Sequence, residues 1–211
     1  KGKEKIKPHF VFKFSKTTGK VLFRCEDLVI GYDKPLSKPI NLEILRGERV
    51  VIKGSNGIGK TTLVKSLIGE LKPISGNVVK SPALDINYFE QEVPGNRKTP
   101  FEEIRDSFPT LNNGEIHYFL AASGLTNQNI ESQIITLSGG EAAKVRLCKL
   151  TIQESNCLIL DEPTNHLDAL AKEALREAIE EYKGTVILVC HEPEFYEGLN
   201  VRVINAEEHK I

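Results

Sequence analysis

Apolar and polar positions recur along this chain with more than one period, and each period predicts an element. Val21–Ile30 and Ile40–Ile52 read as strands, the second region interrupted by a turn at Arg46-Gly47-Glu48. An apolar run then leads through Lys53 into a glycine loop, Gly54 to Gly59. A helix follows, with Leu63, Leu67 and Ile68 toward a core, and ends near Gly69. Pro73 and Gly76 mark turns before a strand-like "LDINYFEQ" that ends at Gln91. Residues 92–136 change character: prolines break short helical patterns such as "TPFEEIRDSF" and "NGEIHYFLAASG". A helix opens at Glu141, the strand "CLILD" follows, and a helix from about Ala169 to Tyr182 leads past Gly184 into "TVILVC". Leu170, Ala174, Ala178 and Tyr182 recur every four residues on that helix, and Leu175 and Ile179 widen the stripe.

Strands joined by crossover helices predict an α/β core with a mainly parallel sheet and an antiparallel β portion near the N-terminus. The expected organisation is a basic linker or edge segment over residues 1–20 and a nucleotide-binding domain over 21–211. A small helical subdomain, about 92–150, is inserted in its α/β core. Near the start, "HFVFKF" alternates as a short edge strand does, with Phe10, Phe12 and Phe14 on one face. No internal repeat or low-complexity tract is evident.

Composition changes this picture little. At 211 residues and 23.5 kDa the chain can bury a substantial core, and a formal net charge of -1 gives no whole-molecule case for nucleic-acid binding. The basic residues are local: residues 1–24 hold eight Lys or Arg against Glu4 alone. That segment reads as a solvated linker, or as a surface that meets RNA phosphates. Cys25, Cys148, Cys157 and Cys190 lack close paired spacings and sit in or beside apolar segments, so they read as buried thiols in a reducing compartment. There is no apolar run of about 18 residues and no signal peptide pattern. The start at Lys1-Gly2-Lys3 without methionine suggests a segment cut from a longer protein.

The chemistry concentrates in a few short stretches. "GSNGIGKTT", residues 54–62, is a G-x-x-x-x-G-K-[ST] loop between a strand and a helix. Small residues let consecutive backbone N–H groups converge on phosphates, Lys60 adds a point charge, and Thr61 offers an oxygen to Mg²⁺. With that loop in place, Asp161 at the end of an apolar strand is the expected second holder of Mg²⁺, and Glu162 can act on an attacking water. Without it, two adjacent acids read equally well as a strand stop. In "LSGGE", Ser138 and Glu141 fit a capping box, while Ser138-Gly139-Gly140 also present donors at a positive helix end. His191 and Gln91 each follow a strand, where ligands of open α/β sheets bind. His9, His117, His166 and His209 have no metal-ligand spacing.

Taken together, from about Val21 onward, these motifs resemble the ATP-binding cassette (ABC) superfamily. Gly54 to Thr62 resembles the Walker A loop, which implies nucleotide contacts from Gly54, Ser55, Asn56, Gly57, Gly59, Lys60, Thr61 and Thr62. Gln91 resembles the Q-loop residue, Leu137 to Glu141 the signature, Leu158 to Glu162 Walker B, Asp168 the D-loop acid and His191 the switch histidine. The resemblance implies Tyr32 stacked on adenine, Mg²⁺ held by Thr61, Gln91 and Asp161, and catalysis by Glu162 with His191 and Gln91. It also implies that two such domains close head to tail on ATP. Ser138, Gly139 and Gly140 of one then serve a nucleotide bound to the other, alongside Asp168.

"EPTNHLD" is similar to the form found in the ABC-F family of duplicated cassettes, which includes ribosome-associated translation factors and antibiotic-resistance ribosome-protection factors. The implied protein is an ATPase with ATP and Mg²⁺ as cofactors, cytoplasmic, paired with a second cassette in its parent chain or with another copy of itself. Ribosome, rRNA or tRNA are its implied further partners. The basic start and the lack of an arm-sized insertion in residues 92–136 point to the second, C-terminal cassette. A transporter ATPase subunit, or an interaction module gated by nucleotide with incidental turnover, are the alternatives. Two departures stand out: Ala142 where the family usually has Gln, and Glu192-Pro193 where it commonly has Asp-Arg.

Overall fold

The computed structural model describes residues 6–55, 57 and 59–210. Its contacts fall into two compact units, one within Lys1–Lys13, Glu92–Glu154 and Pro163–Tyr182, the other within Phe14–Gln91, Ser155–Glu162 and Lys183–Ile211.

The second unit carries both sheets. β1 (Val21–Val29), β2 (Ile40–Leu45) and β4 (Ser75–Lys80) form an antiparallel sheet in the order β2-β1-β4. β3 (Arg49–Lys53), β5 (Ile86–Phe89), β6 (Cys157–Asp161), β7 (Thr185–Val189) and β8 (Arg202–Asn205) form a parallel sheet in the order β5-β6-β7-β3-β8. Every residue of β6 and β7 is buried, as expected for central strands covered on both faces. One apolar cluster joins Phe23 and Leu28 of β1, Ile44 of β2, Ile52 of β3, Ile159 of β6 and Ile187 of β7 to Leu63, Val64 and Leu67 of α1 (Lys60–Ile68).

β4 and β8 are strands that periodicity did not predict. Gly76, read as a turn, lies inside β4 with φ 77, at a register shift opposite β1 between Glu26 and Val29. A Cβ there would stand 2.1 Å from the Asp27 carbonyl oxygen, so only glycine allows the close approach. Asp27 is itself left-handed, φ 46, and exchanges hydrogen bonds with Asn41 at 2.9 and 3.0 Å.

The first unit is helical: α2 (Pro100–Ser107), α3 (Asn113–Ala122), α4 (Asn127–Glu131), α5 (Gly139–Ile152) and α6 (Ala169–Glu181). α2, α3, α4 and α5 each begin with a reciprocal capping box, from Thr99, Asn112, Thr126 and Ser138. α5 starts two residues before the predicted opening, because the Ser138 cap makes Gly139 its first helical residue. Ile104, Ile116, Leu120, Ile130, Val145 and Cys148 form its core.

"HFVFKF" forms no strand. Phe10 and Phe12 are buried, Phe12 edge-on to Tyr182, whereas Phe14 is exposed and makes only an isolated bridge to Ser155. Among the described basic residues of this region, Lys7 pairs with Glu173 and Glu177, Lys16 with Asp85 and Arg24 with Glu43. All four cysteines are buried and outside any disulfide, and desolvation pushes the thiols of Cys25 and Cys148 up to about 11 and that of Cys157 to about 12. Among the described residues no helix is long and apolar enough to cross a membrane.

Candidate functional site

The β3–α1 connection places the loop's charge. Gly59 caps α1 in the left-handed conformation, φ 93, and turns Lys60 inward, where its side chain is only 7% exposed. Lys60 Nζ donates to the Gly54 carbonyl at 2.7 Å and stands 3.5 Å from Glu162 Oε1. A cavity of about 270 Å³ opens beside it, lined by Gly57, Gly59, Lys60, Thr61, Thr62, Gln91, Asp161 and Glu162, with Leu36 and Val189 as apolar walls.

Parallel pairing of β6 with β7 sets the acidic side. Asp161 pairs with Val189, and the Glu162 amide donates to the Val189 carbonyl at 2.8 Å, so the chain turns at Glu162 with φ 51 and buries its carboxylate. His191, two residues beyond Val189, brings Nδ1 to 2.7 Å from Glu162 Oε2. The carboxylate thus lies between a cation and an imidazole, and it faces the cavity.

Three oxygens converge at the other end of Asp161. Thr61 Oγ1 is 2.8 Å from Asp161 Oδ2 and 3.1 Å from Gln91 Oε1, yet one hydroxyl hydrogen serves only one of these acceptors. Asp161 is fully buried and its Oδ1 has no hydrogen-bond partner. Burial, and secondarily the neighbouring Glu162 charge, raises the Asp161 carboxyl above its ordinary value, while the Thr61 hydroxyl acts the other way. A hydroxyl, an amide oxygen and a carboxylate with a free lone pair form a hard oxygen set of the kind Mg²⁺ takes, so the residues fit that ion.

The structure therefore brings Lys60, Thr61, Thr62, Gln91, Asp161, Glu162 and His191 together in one unit. Tyr32, in the same unit, is 58% exposed and does not line the cavity. Asn56 lies outside the described residues. Ser55 is engaged by Glu207, whose carboxylate accepts from the Ser55 amide at 3.0 Å and from its hydroxyl at 2.5 Å. Sequence reasoning missed Glu207, which carries no motif, and Leu36 and Val189, whose apolar side chains look like any others in a core.

Ser138, Gly139, Gly140 and Asp168 belong to the helical unit. Ser138 Oγ accepts from the Glu141 amide at 3.2 Å, and the Ser138 amide donates to Glu141 Oε1 at 3.0 Å. That amide, helped by Asn129, holds the Glu141 carboxyl below its ordinary value. Asp168 caps α6, accepting from the Ala171 amide at 2.9 Å.

Comparison with known proteins points one way. The sequence profile of the family described as "ABC transporter" matches residues 37–165. The chain is 53% identical over 205 residues to the uncharacterized ABC transporter ATP-binding protein YfmM of Bacillus subtilis (strain 168), covering 97% of this chain and 40% of YfmM. It is 39% identical to ABC transporter F family member 5 of Arabidopsis thaliana, covering 91% of this chain and 28% of that protein. The fold is similar to a solved ABC transporter ATP-binding protein from Pyrococcus furiosus, with TM-score 0.74 and 25% identity over 90% of this chain and 99% of that one. The chain thus spans well under half the length of these two curated relatives.

Proposed function

The chain belongs to the ABC transporter family of ATP-binding cassettes, and from that premise we propose that it is the C-terminal cassette of an ABC-F ATPase that works on the ribosome. The observation that carries the ATPase part is the cluster at the ends of β3, β5, β6 and β7: one buried lysine, the oxygen set of Thr61, Gln91 and Asp161, and a buried Glu162 held by His191. ABC-F membership is supported by "EPTNHLD" and by a relative that bears the F-family name. Relatives more than twice as long leave room for a second cassette. On this reading residues 1–20 are linker, 21–211 the cassette with its helical subdomain at about 92–150, and the protein is cytoplasmic. Its role is translation regulation or ribosome protection against antibiotics.

Thr61, Gln91 and Asp161 would hold Mg²⁺, whose charge offsets that of the polyphosphate. Lys60 neutralises phosphate oxygens from the opposite side of the loop, and the backbone N–H groups of Gly57 and Gly59, with those of α1, orient them. Glu162 orients the attacking water and takes its proton; His191 fixes the carboxylate rotamer at 2.7 Å and faces the γ-phosphate. Tyr32 stacks on the adenine. Ser138, Gly139, Gly140 and Asp168 act on the nucleotide of a second cassette, so a single chain is half of the catalytic unit.

Two measurements test this. Turnover per chain should rise with protein concentration, and a monomer as active as the paired protein refutes trans completion. Glu162→Gln removes the base and spares ATP binding, so the full-length protein with both equivalent glutamates replaced should accumulate closed and pellet with ribosomes in ATP but not in ADP. ATP-dependent closure without pelleting discards the ribosome and keeps the cassette. The transporter-subunit reading, favoured by the name that YfmM bears, predicts that outcome.

A further inference from the structure

His166 occupies a position that suits glycine. The Leu167 amide closes a turn onto the Thr164 carbonyl at 3.1 Å, and His166, the third residue of that turn, has φ 67. Left-handed backbone at the third turn position favours Gly or Asn, and a histidine there persists where surrounding contacts hold it. Within the helical unit those contacts are with the start of α5. A Cβ on Gly139 would lie 2.8 Å from His166 Cγ and 3.1 Å from its Cβ, and a Cβ on Gly140 would lie 2.6 Å from the His166 carbonyl oxygen. The ring therefore lies against one signature glycine and the backbone against the other. Two residues later Asp168 caps α6, which anchors the far end of the same turn.

We infer that His166 is a positioning residue: its ring and carbonyl set where Ser138, Gly139 and Gly140 sit, Gly139 being glycine because the His166 ring needs that space and Gly140 because the carbonyl of residue 166 does. The residue types on both sides agree. Any side chain on α5 at these positions would push the turn away, and a smaller residue at 166 would remove the ring that stands against Gly139 and leave the Ser138 end of α5 free to shift. His166 makes no nucleotide contact of its own in this scheme. The consequence for hydrolysis rests on the reading above in which Ser138–Gly140 serve the nucleotide of a second cassette: displacement of the start of α5 lowers turnover without changing how a chain binds ATP on its own loop.

The test is a set of six variants of this chain, His166→Gly, His166→Asn, Gly139→Ala, Gly140→Ala and the two double variants that add His166→Gly, assayed for turnover against protein concentration, for binding of labelled ATP to dilute chain, and for thermal unfolding. Glycine at 166 suits φ 67, so the fold is retained while the ring is lost. His166→Gly should lower kcat roughly tenfold with own-site ATP affinity unchanged, a loss typical of small misplacements near reacting groups. His166→Asn, which tolerates the left-handed backbone and keeps a planar group over Gly139, should recover part of it. Gly139→Ala collides with the ring, so adding His166→Gly should raise both its melting temperature and its turnover. Gly140→Ala collides with a backbone carbonyl that no replacement at 166 removes, so its double variant should show no such recovery. Equal response of the two glycines to His166→Gly, or no rescue of Gly139→Ala, overturns the inference. If wild-type turnover does not rise with concentration, the paired-site reading fails and the catalytic half of the inference with it. The melting temperatures still decide the steric half.

Discussion

Asp161→Asn should make the nucleotide-free protein more stable and the nucleotide-bound protein less stable than wild type. The carboxylate is fully buried, one oxygen beside the Thr61 hydroxyl and the other without a partner, so the free protein carries an uncompensated buried acceptor. Such a group costs about 1–3 kcal/mol, more when charged. Asparagine keeps an oxygen for Thr61, puts a neutral amide N–H in place of the unpartnered oxygen, and so removes the charge while the site stays polar. A net gain of about 1 kcal/mol corresponds to a rise of roughly 2–4 °C in a chain of this length. Mg-ATP at 100 times its Kd should stabilise wild type by about 2.7 kcal/mol. If losing the carboxylate weakens Mg-ATP binding about 100-fold, the same concentration stabilises the variant by only about 0.4 kcal/mol. The two melting temperatures should therefore cross on adding Mg-ATP, read by calorimetry with and without nucleotide and with EDTA as control. A variant less stable than wild type without nucleotide refutes the stored cost, and an undiminished Mg-ATP shift removes Asp161 from the metal site.

Lys60→Ala should weaken ATP binding about 10- to 100-fold by loss of a charge-assisted phosphate contact, measured by titration with labelled ATP; unchanged affinity excludes the role. It should also lower the melting temperature without nucleotide, because Lys60 is buried against Glu162 at 3.5 Å and its removal leaves that buried carboxylate with His191 but without its cation. Gly76→Ala should destabilise by about 2 kcal/mol or more, since left-handed backbone and a 2.1 Å collision with Asp27 coincide; an unaltered denaturation midpoint would show that β1 yields freely. The Glu141 carboxyl is depressed in the folded state, so its cap is fully present above the ordinary value of 4.5 and is lost as pH falls through the lower folded value. Hydrogen exchange at the start of α5, corrected for intrinsic rates, should accelerate over that acid interval in wild type and not in Glu141→Gln.

Sequence pattern revealed the elements whose cause is local. β6 and β7 are continuous apolar runs, α1 is bracketed by glycines that take left-handed caps, and Ser138 and Glu141 form the box their spacing predicts. β4 and β8 were hidden because their pairing is decided elsewhere: Gly76 looks like a turn until β1 approaches it, and Arg202–Asn205 has too few apolar positions to display a period. The aromatic alternation at Phe10–Phe14 misled for a related reason, since period two reports which side chains are buried and not whether a backbone partner lies alongside. In the site, motif residues were legible and their mutual satisfaction was not. Nothing in the string tells that Asp161 keeps an unpaired oxygen, that Lys60 is tied to Glu162, or that Glu207 reaches Ser55.

The two departures from the family pattern show where the chemistry is anchored. Glu192-Pro193 follow His191, yet Pro193 is simply the first residue of α7 (Pro193–Tyr196), where its fixed φ suits a helix start, and Glu192 is the cap residue. His191 is placed before them, by the register of β7 on β6: Asp161 opposite Val189, the Glu162 amide on the Val189 carbonyl, then His191 on the Glu162 carboxylate. A slip of one residue in that pairing would move each side chain to the opposite face of the sheet and separate Glu162 from His191. Ala142 lies on α5 beyond the Ser138 cap, beside the apolar side chains of Leu137 and Val145, and has no part in the Ser138–Glu141 box. Both departures fall one step outside the contacts that hold Glu162, His191 and Ser138. Strand register and helix caps, rather than the neighbouring residues in sequence, position Glu162, His191 and Ser138.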